Sequence, residues 1–203
     1  MSFSYFYDPV LNSAGQSEFV AEVAGVGVSS TNNSGIWIGT AGDLSQAMRS
    51  GSQAPGCSTG TIFEDIAGNG GYVVDGRGDV LFEDGLTGVG VTNANSGGLW
   101  LENGWTGTTS LVARDGNPFQ VAPGDTLTIS SVSLLESPGD DDGSGTAING
   151  LGEFTFELSF TNGSEGVFTA EAIPEPGCAT MAGIGGMLVA WGSWGRRRGK
   201  RGG

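Results

Sequence analysis

The stretch LNSAGQSEF at positions 11–19 returns as VDGRGDVLF at 74–82 and as INGLGEFTF at 148–156. In each copy an Asn or Asp (Asn12, Asp75, Asn149) stands three residues before a glycine and seven before a phenylalanine. An Asx side chain bonds its own backbone two residues on and the glycine accepts a positive φ, so each motif opens with a tight turn. Beyond the turn, polar and apolar residues alternate. In Glu153-Phe-Thr-Phe-Glu-Leu-Ser-Phe160 the apolar residues Phe154, Phe156, Leu158 and Phe160 fall on one face of a strand.

The 63-residue shift that relates the first two copies also carries Gly25-Val-Gly-Val28 onto Gly88-Val-Gly-Val91, Asn32 onto Asn95, and Gly35-Ile-Trp37 onto Gly98-Leu-Trp100. With two residues inserted, Arg49-Ser-Gly51 falls on Arg114-Asp-Gly116. The third copy is shorter and ends in Gly166-Val-Phe168. This divides the body into units near 11–73, 74–147 and 148–172, each read as a turn, a long strand, a short Gly-Ile-Trp strand, a strand ending at Arg-x-Gly, and Thr61–Ile66 as the fourth strand. The expected fold is all-β, with tandem four-stranded repeats over residues 1–172 in a propeller-like arrangement. Two full units and a partial one fall short of the roughly four blades with which propellers close, so the array is expected to be incomplete.

Composition agrees. Of 203 residues 39 are glycine, without a three-residue period, which excludes collagen and disfavours long helices in the body. Histidine is absent, so no Ser-His-Asp triad, Cys-His pair or His-held metal can be assembled from this chain. All 22 acidic residues precede Gly177, where the only cations are Arg49, Arg77 and Arg114. A body so acidic repels phosphate backbones and argues against nucleic acid as a partner. Cys57 and Cys178 are too few and too far apart to make a disulfide framework.

The tail, residues 173–203, reads differently. Residues 177–194 form 18 uncharged positions, about 27 Å as a helix, near the lower limit for crossing a bilayer. One transmembrane helix is expected there, with Trp191 and Trp194 at the interface. The basic end Arg196, Arg197, Arg198, Lys200 and Arg201 would stay cytoplasmic. Pro174-Glu175-Pro176 stands immediately before the span. The order Pro-Glu-Pro, apolar span, arginine-rich terminus resembles the PEP-CTERM sorting signal of Gram-negative bacteria. That resemblance implies recognition of Pro174, Glu175 and Pro176 by an exosortase, a membrane-embedded cysteine transpeptidase, then cleavage and transfer to the cell surface or beyond. The 63-residue unit is similar to tandem repeats that accompany such tails in exported proteins of unknown role; this second resemblance brings no catalytic residues. Residues 1–9 show no basic n-region, apolar h-region or cleavage site of a signal peptide, so the export signal is expected upstream of Met1.

Candidate chemistry in the body is sparse. Asp140-Asp141-Asp142 is the densest acid run, and Asp140 and Asp142 could offer oxygens to Ca²⁺, but the run lacks the alternation of an EF-type loop. Carboxylate pairs for glycoside hydrolysis could be composed from Glu18 with Glu22 or Glu83 with Asp84, though no spacing singles them out. Trp37 and Trp100 read as packing residues and Trp105 as exposed. Arg49 and Arg114 are each expected to pair with an acid of their own unit.

No catalytic constellation is visible, no cofactor is implied beyond that calcium candidate, and the expected role is a binding or structural module of the cell envelope or extracellular matrix. Its expected partners are an exosortase, the membrane and a surface polysaccharide. The alternatives are a carboxylate-based glycan hydrolase on a propeller scaffold or a permanently anchored adhesion module. Calorimetric titration of the chain with Ca²⁺ is expected to show only weak, unsaturated heats; a saturable micromolar site lost in Asp140→Ala and Asp142→Ala variants would refute this.

Overall fold

A computed structural model describes residues 1–66, 71–134, 147–172 and 191–194. The strands are β1 (Ser2–Leu11), β2 (Ser17–Ala24), β3 (Ser34–Thr40), β4 (Asp43–Arg49), β5 (Thr61–Phe63), β6 (Tyr72–Val74), β7 (Val80–Gly88), β8 (Gly97–Asn103), β9 (Thr108–Arg114), β10 (Pro118–Ala122), β11 (Asp125–Ser133), β12 (Glu153–Phe160), β13 (Glu165–Glu171) and β14 (Trp191–Trp194). They form three antiparallel sheets: β1-β2-β3-β4, then β5-β7-β8-β9 with β6 also on β7, then β10-β11-β12-β13-β14. The fold is all-β.

The three sheets repeat one register. Phe3 faces Val23 across β1 and β2, Phe63 faces Leu86 across β5 and β7, and Ile129 faces Phe160 across β11 and β12. The Gly-Ile-Trp motif has a steric reason. A Cβ on Gly98 would collide with the Trp100 ring, and one on Gly35 would crowd the Trp37 ring, so the glycine lets the indole fold back over its own strand. Register slips by one residue next to both tryptophans, between Ile36 and Trp37 and between Leu99 and Trp100.

Between the first two sheets lies one core. Val20, Ile36, Ile38 and Met48 of the first sheet bury Phe63, Ile66, Phe82 and Trp100 of the second. Trp100 stacks on Phe82 at 6.0 Å and meets Phe63 edge-on at 4.9 Å, while its indole N–H donates to the Pro55 carbonyl at 3.1 Å. A second core joins the other face of the second sheet, through Leu81, Leu99 and Leu101, to Ile129, Phe154, Phe156, Leu158 and Phe168 of the third. Both faces of the middle sheet are therefore buried, as in stacked sheets generally.

Two sequence-based expectations change here. The strand at Thr61 is not the fourth of the first sheet but the first of the second, since it pairs with β7. The boundary between sheets falls at Gly51, where the chain crosses over: Gly51 N–H donates to Phe63 O, and Gly116 N–H likewise to Ile129 O. The structural units are thus shifted in phase from the sequence units, because a strand joins the neighbour that offers a matching apolar face. The second change concerns the tail. Trp191–Trp194 is a strand, not the end of a helix, and pairs with β13. Gly166 stands opposite Trp194 as Gly35 stands opposite Arg49 and Gly98 opposite Arg114, so β14 fills the fourth-strand place that the shortened third unit lacks. An open edge at β13 would leave backbone groups unpaired, which favours this pairing. Residues 173–190, with most of the expected span, lie outside the described residues. Among the described residues no helix is long and apolar enough to cross a membrane.

Trp100→Ala is expected to destabilise the body by about 3–5 kcal/mol in chemical denaturation, because it empties the first seam. Trp105→Ala, at an exposed loop position, is expected to change stability by less than about 0.5 kcal/mol.

Candidate functional site

The repeated Asn/Asp-x-x-Gly turns assemble at one end of the sheets. In the first, Asn12 Oδ1 accepts from the amides of Ala14 and Gln16 at 3.1 and 2.9 Å. In the second, Asp75 Oδ1 accepts from Arg77 and Asp79 at 2.8 and 2.9 Å. In the third, Asn149 Oδ1 accepts from Leu151 and Glu153 at 2.9 and 3.1 Å. One carboxyl or amide oxygen thus closes each turn.

The turns also touch one another. Asn12 Nδ2 donates to the Asp75 carbonyl at 3.0 Å, across the first seam. Arg77 donates to Asp75 Oδ2 at 3.0 Å and to Asp79 Oδ2 at 2.7 Å, and Asp79 Oδ1 accepts from the Gly104 amide at 2.8 Å. A Cβ on Gly152 would collide with the Arg77 guanidinium, so the third turn packs directly on this ion pair. Burial first of all pushes the Asp79 carboxyl above its ordinary value, against the lowering by the Gly104 amide and Arg77. The rim that could have offered Asn12, Asp75 and Asn149 to a ligand spends their acceptor oxygens on its own backbone.

Behind the rim lie carboxyls that sequence reading placed differently. Glu18 is fully buried, neither of its oxygens has a hydrogen-bond partner, and burial, reinforced by Glu102, pushes it well above the carboxylate range. Glu102 is raised mainly by burial, although Thr109 Oγ1 donates to its Oε2 at 3.2 Å. The acid that reinforces the shift of Glu18 is Glu102 of the second sheet, while Glu22 Oε1 accepts from the Tyr7 hydroxyl at 2.9 Å. Glu83 and Asp84 do not form a pair either. Consecutive strand residues point to opposite faces. Glu83 Oε2 accepts the Leu134 amide at 2.9 Å toward the third sheet. Asp84 shares the face of Phe82 and Leu86, and so points into the first seam. Burial raises its pKa from 3.8 to about 8, with Glu64, Asp65 and Glu83 adding to the rise. The Gly85 amide lies near enough to oppose that shift, yet neither Asp84 oxygen makes a bond of acceptable geometry. Burial thus favours the neutral forms of Glu18, Glu102 and Asp84, and Glu18 is wholly enclosed.

Among the described residues neither Arg49 nor Arg114 makes the expected salt bridge to an acid, although Arg114 acts against the rise in the pKa of its neighbour Asp115. Arg49 Nε donates to the Asn32 carbonyl at 2.8 Å and Arg114 Nε to the Asn95 carbonyl at 3.0 Å. Asn32 and Asn95 in turn cap their loops, accepting from Ser29 and Thr92 amides at 2.7 Å each. Each arginine therefore ties down the loop that precedes a Gly-Ile/Leu-Trp strand. Trp37 and Trp100 are packed and Trp105 is exposed, as the sequence suggested. Cys57 is a free, half-buried thiol; burial raises its pKa, and Arg114 acts the other way. Asp140, Asp142, Pro174, Glu175, Pro176, Arg196, Arg197, Arg198, Lys200 and Arg201 lie outside the described residues. Among the described residues no group of three or more Cys, Asp or Glu side chains is arranged to hold a metal ion.

The family model described as "Family of unknown function (DUF7453)" matches residues 1–180, and the chain belongs to that family. No curated protein and no solved structure matches it.

Asp84 sets a pH dependence whose sign is fixed. Below pH 3.8 the carboxyl is protonated in both folded and unfolded chains. From there up to about 8 the unfolded chain releases the proton while the folded chain keeps it, so stability falls as pH rises through this window. Asp84→Asn is expected to stabilise the fold relative to wild type by an amount that grows steadily between pH 4 and pH 8. Urea melts across that range check it; parallel stability curves for the two proteins would contradict it.

Proposed function

We propose that this member of the DUF7453 family is an exported, surface-sorted module of the bacterial cell envelope or extracellular matrix. Its three sheets act as propeller-like blades that present a rigid binding or structural surface, and its tail is a PEP-CTERM signal. The observation that carries the reading is the order of parts in the tail: Pro174-Glu175-Pro176, an uncharged stretch over 177–194, then Arg196, Arg197, Arg198, Lys200 and Arg201. During export the apolar stretch enters the inner membrane as a helix, since a bilayer forces backbone groups to satisfy one another, and the basic end holds its orientation. An exosortase then recognises the tripeptide and removes the tail, and the body reaches the surface.

The body supports a scaffold role in a specific way. Its polar repeats are spent on turns and loop caps, its buried Asp75 and Asp79 clasp Arg77 at the rim, and Glu18, Asp84 and Glu102 are buried. A glycan hydrolase needs two carboxyls that a sugar can reach; Glu18 and Glu102 are both buried, and Asp75 and Asp79 are held by Arg77.

The test is mass spectrometry of envelope and secreted fractions from an exosortase-bearing Gram-negative host that expresses the chain with an added signal peptide. Wild type is expected to yield chains ending near Pro176, and a Pro174→Ala, Glu175→Ala double variant is expected to remain full-length in the inner membrane. Wild-type chains that keep peptides from the 177–198 region in every fraction would overturn the sorting reading in favour of a permanent anchor.

A further inference from the structure

The three sheets carry the same apolar patch on equivalent strand positions, and two of the three patches are covered. In the second sheet the patch is Phe63, Phe82 and Trp100, with Ile66 three residues past Phe63 and beyond the end of β5; in the third it is Ile129, Val132, Phe156 and Phe168. In the first sheet the same positions hold Phe3, Phe6, Phe19 and Trp37. The geometry is reproduced ring for ring. Phe3 meets Trp37 edge-on at 5.1 Å, as Phe63 meets Trp100 at 4.9 Å. Phe19 stacks on Trp37 with 16° between planes, as Phe82 stacks on Trp100 with 18°.

Exposure separates them. Phe63 is 3% exposed and its counterpart Phe3 38%; Ile66, three residues after Phe63, is 2% exposed, and Phe6, three residues after Phe3, 57%. Among the described residues no sheet lies in front of the first patch. Isolated apolar residues on a surface are ordinary, but a contiguous aromatic face marks an interaction site.

We infer that the face made by Phe3, Phe6, Phe19 and Trp37 is a docking surface for a further four-stranded blade of this same repeat. The chain itself shows what fits there. The second sheet's patch is covered by branched aliphatic and thioether side chains, Val20, Ile36, Ile38 and Met48, and the third sheet's patch by Leu81, Leu99 and Leu101. The partner is a sheet that presents such aliphatic residues on equivalent positions of its long and Gly-Ile-Trp strands. The third blade of a second copy does not qualify. Its outward positions are Thr155, Glu157, Ser159, Val167 and Thr169, which are polar but for one valine and carry a charge that would be buried unpaired. Face-to-face pairing of two copies sets aromatic patch against aromatic patch, a combination found in neither internal seam.

This inference rests on the blade reading of the body and is independent of the sorting reading, because the experiment leaves the tail untouched. The full chain carrying Phe6→Cys is compared with the same chain extended at its N-terminus by a second copy of residues 1–60. In that extension Gly51–Ala54 of the added copy precede Ser2 as Gly51–Ala54 precede β5. Labelling with a maleimide is followed at position 6 by peptide mass spectrometry, which separates it from Cys57 and Cys178. The added blade is expected to slow labelling at position 6 at least tenfold and to raise the melting temperature. Unchanged labelling beside a protease-resistant added blade would overturn the inference, and so would an added blade that stays protease-sensitive. Concentration-dependent protection of position 6 in the unextended chain, with a dimer by light scattering, would assign the face to a second copy and overturn it too.

Discussion

The seam between successive sheets is the contact on which the rest of the body depends. Each seam sets an aromatic or large apolar cluster from three neighbouring strands of one sheet against the aliphatic face of the sheet before it. Phe63, Phe82 and Trp100 against Val20, Ile36, Ile38 and Met48 is the most complete instance. Rings contribute large buried area with few rotatable bonds, and aliphatics fill the space between them at native density. The Gly-x-Trp step arises from this need: the indole must lie flat against its own strand so that the neighbouring sheet can approach, and only glycine leaves room beneath it. The loops tied by Arg49 and Arg114 hold that strand in place.

Polar groups are arranged around the seams rather than at their centre, with three exceptions. The turn rim and the loop caps satisfy their own backbone and keep Arg77 in a two-carboxylate clasp. Glu18, Glu102 and Asp84 lie within the first seam or at its rim, where desolvation favours their neutral forms. At the position of Asp84 the first sheet has Ala21 and the third has Leu158, so the repeat tolerates an apolar residue there. Burial raises the pKa of these carboxyls in the first seam, while the apolar core of the second is built around Leu99, Phe156 and Phe168 and carries Asp115, also raised by burial, beside Val132.

Much of this was legible in the sequence, and the limits have physical causes. The 63-residue shift and the Asx turns were readable because backbone geometry demands Asn or Asp and Gly at fixed offsets, whatever surrounds them. The assignment of Thr61–Phe63 to a sheet was not, because local alternation says that a strand exists but not which neighbour it joins. Glu18 and Asp84 were misplaced for a related reason. Period-two reading sends polar residues to solvent, whereas in a stack of sheets both faces of a strand are interior. Arg49 and Arg114 looked like ion-pair partners in so acidic a chain; their use as donors to loop carbonyls leaves no trace in charge pattern. For the tail, an uncharged glycine-rich stretch is compatible with a helix in lipid and with an edge strand in water, and at Trp191–Trp194 the vacant place beside β13 selected the strand.

The outward face of the third sheet, with Thr155, Glu157, Ser159 and Thr169, gives the array a direction. In polymer language, the stack has unlike outer faces among the described residues, one aromatic and one polar. Lengthening it means repeating the unit ahead of β1, where each new blade covers an aromatic patch and presents another, while the polar face is left as it is. An added unit of about 60 residues ahead of β1 would thus need no change in the polar face of the third sheet.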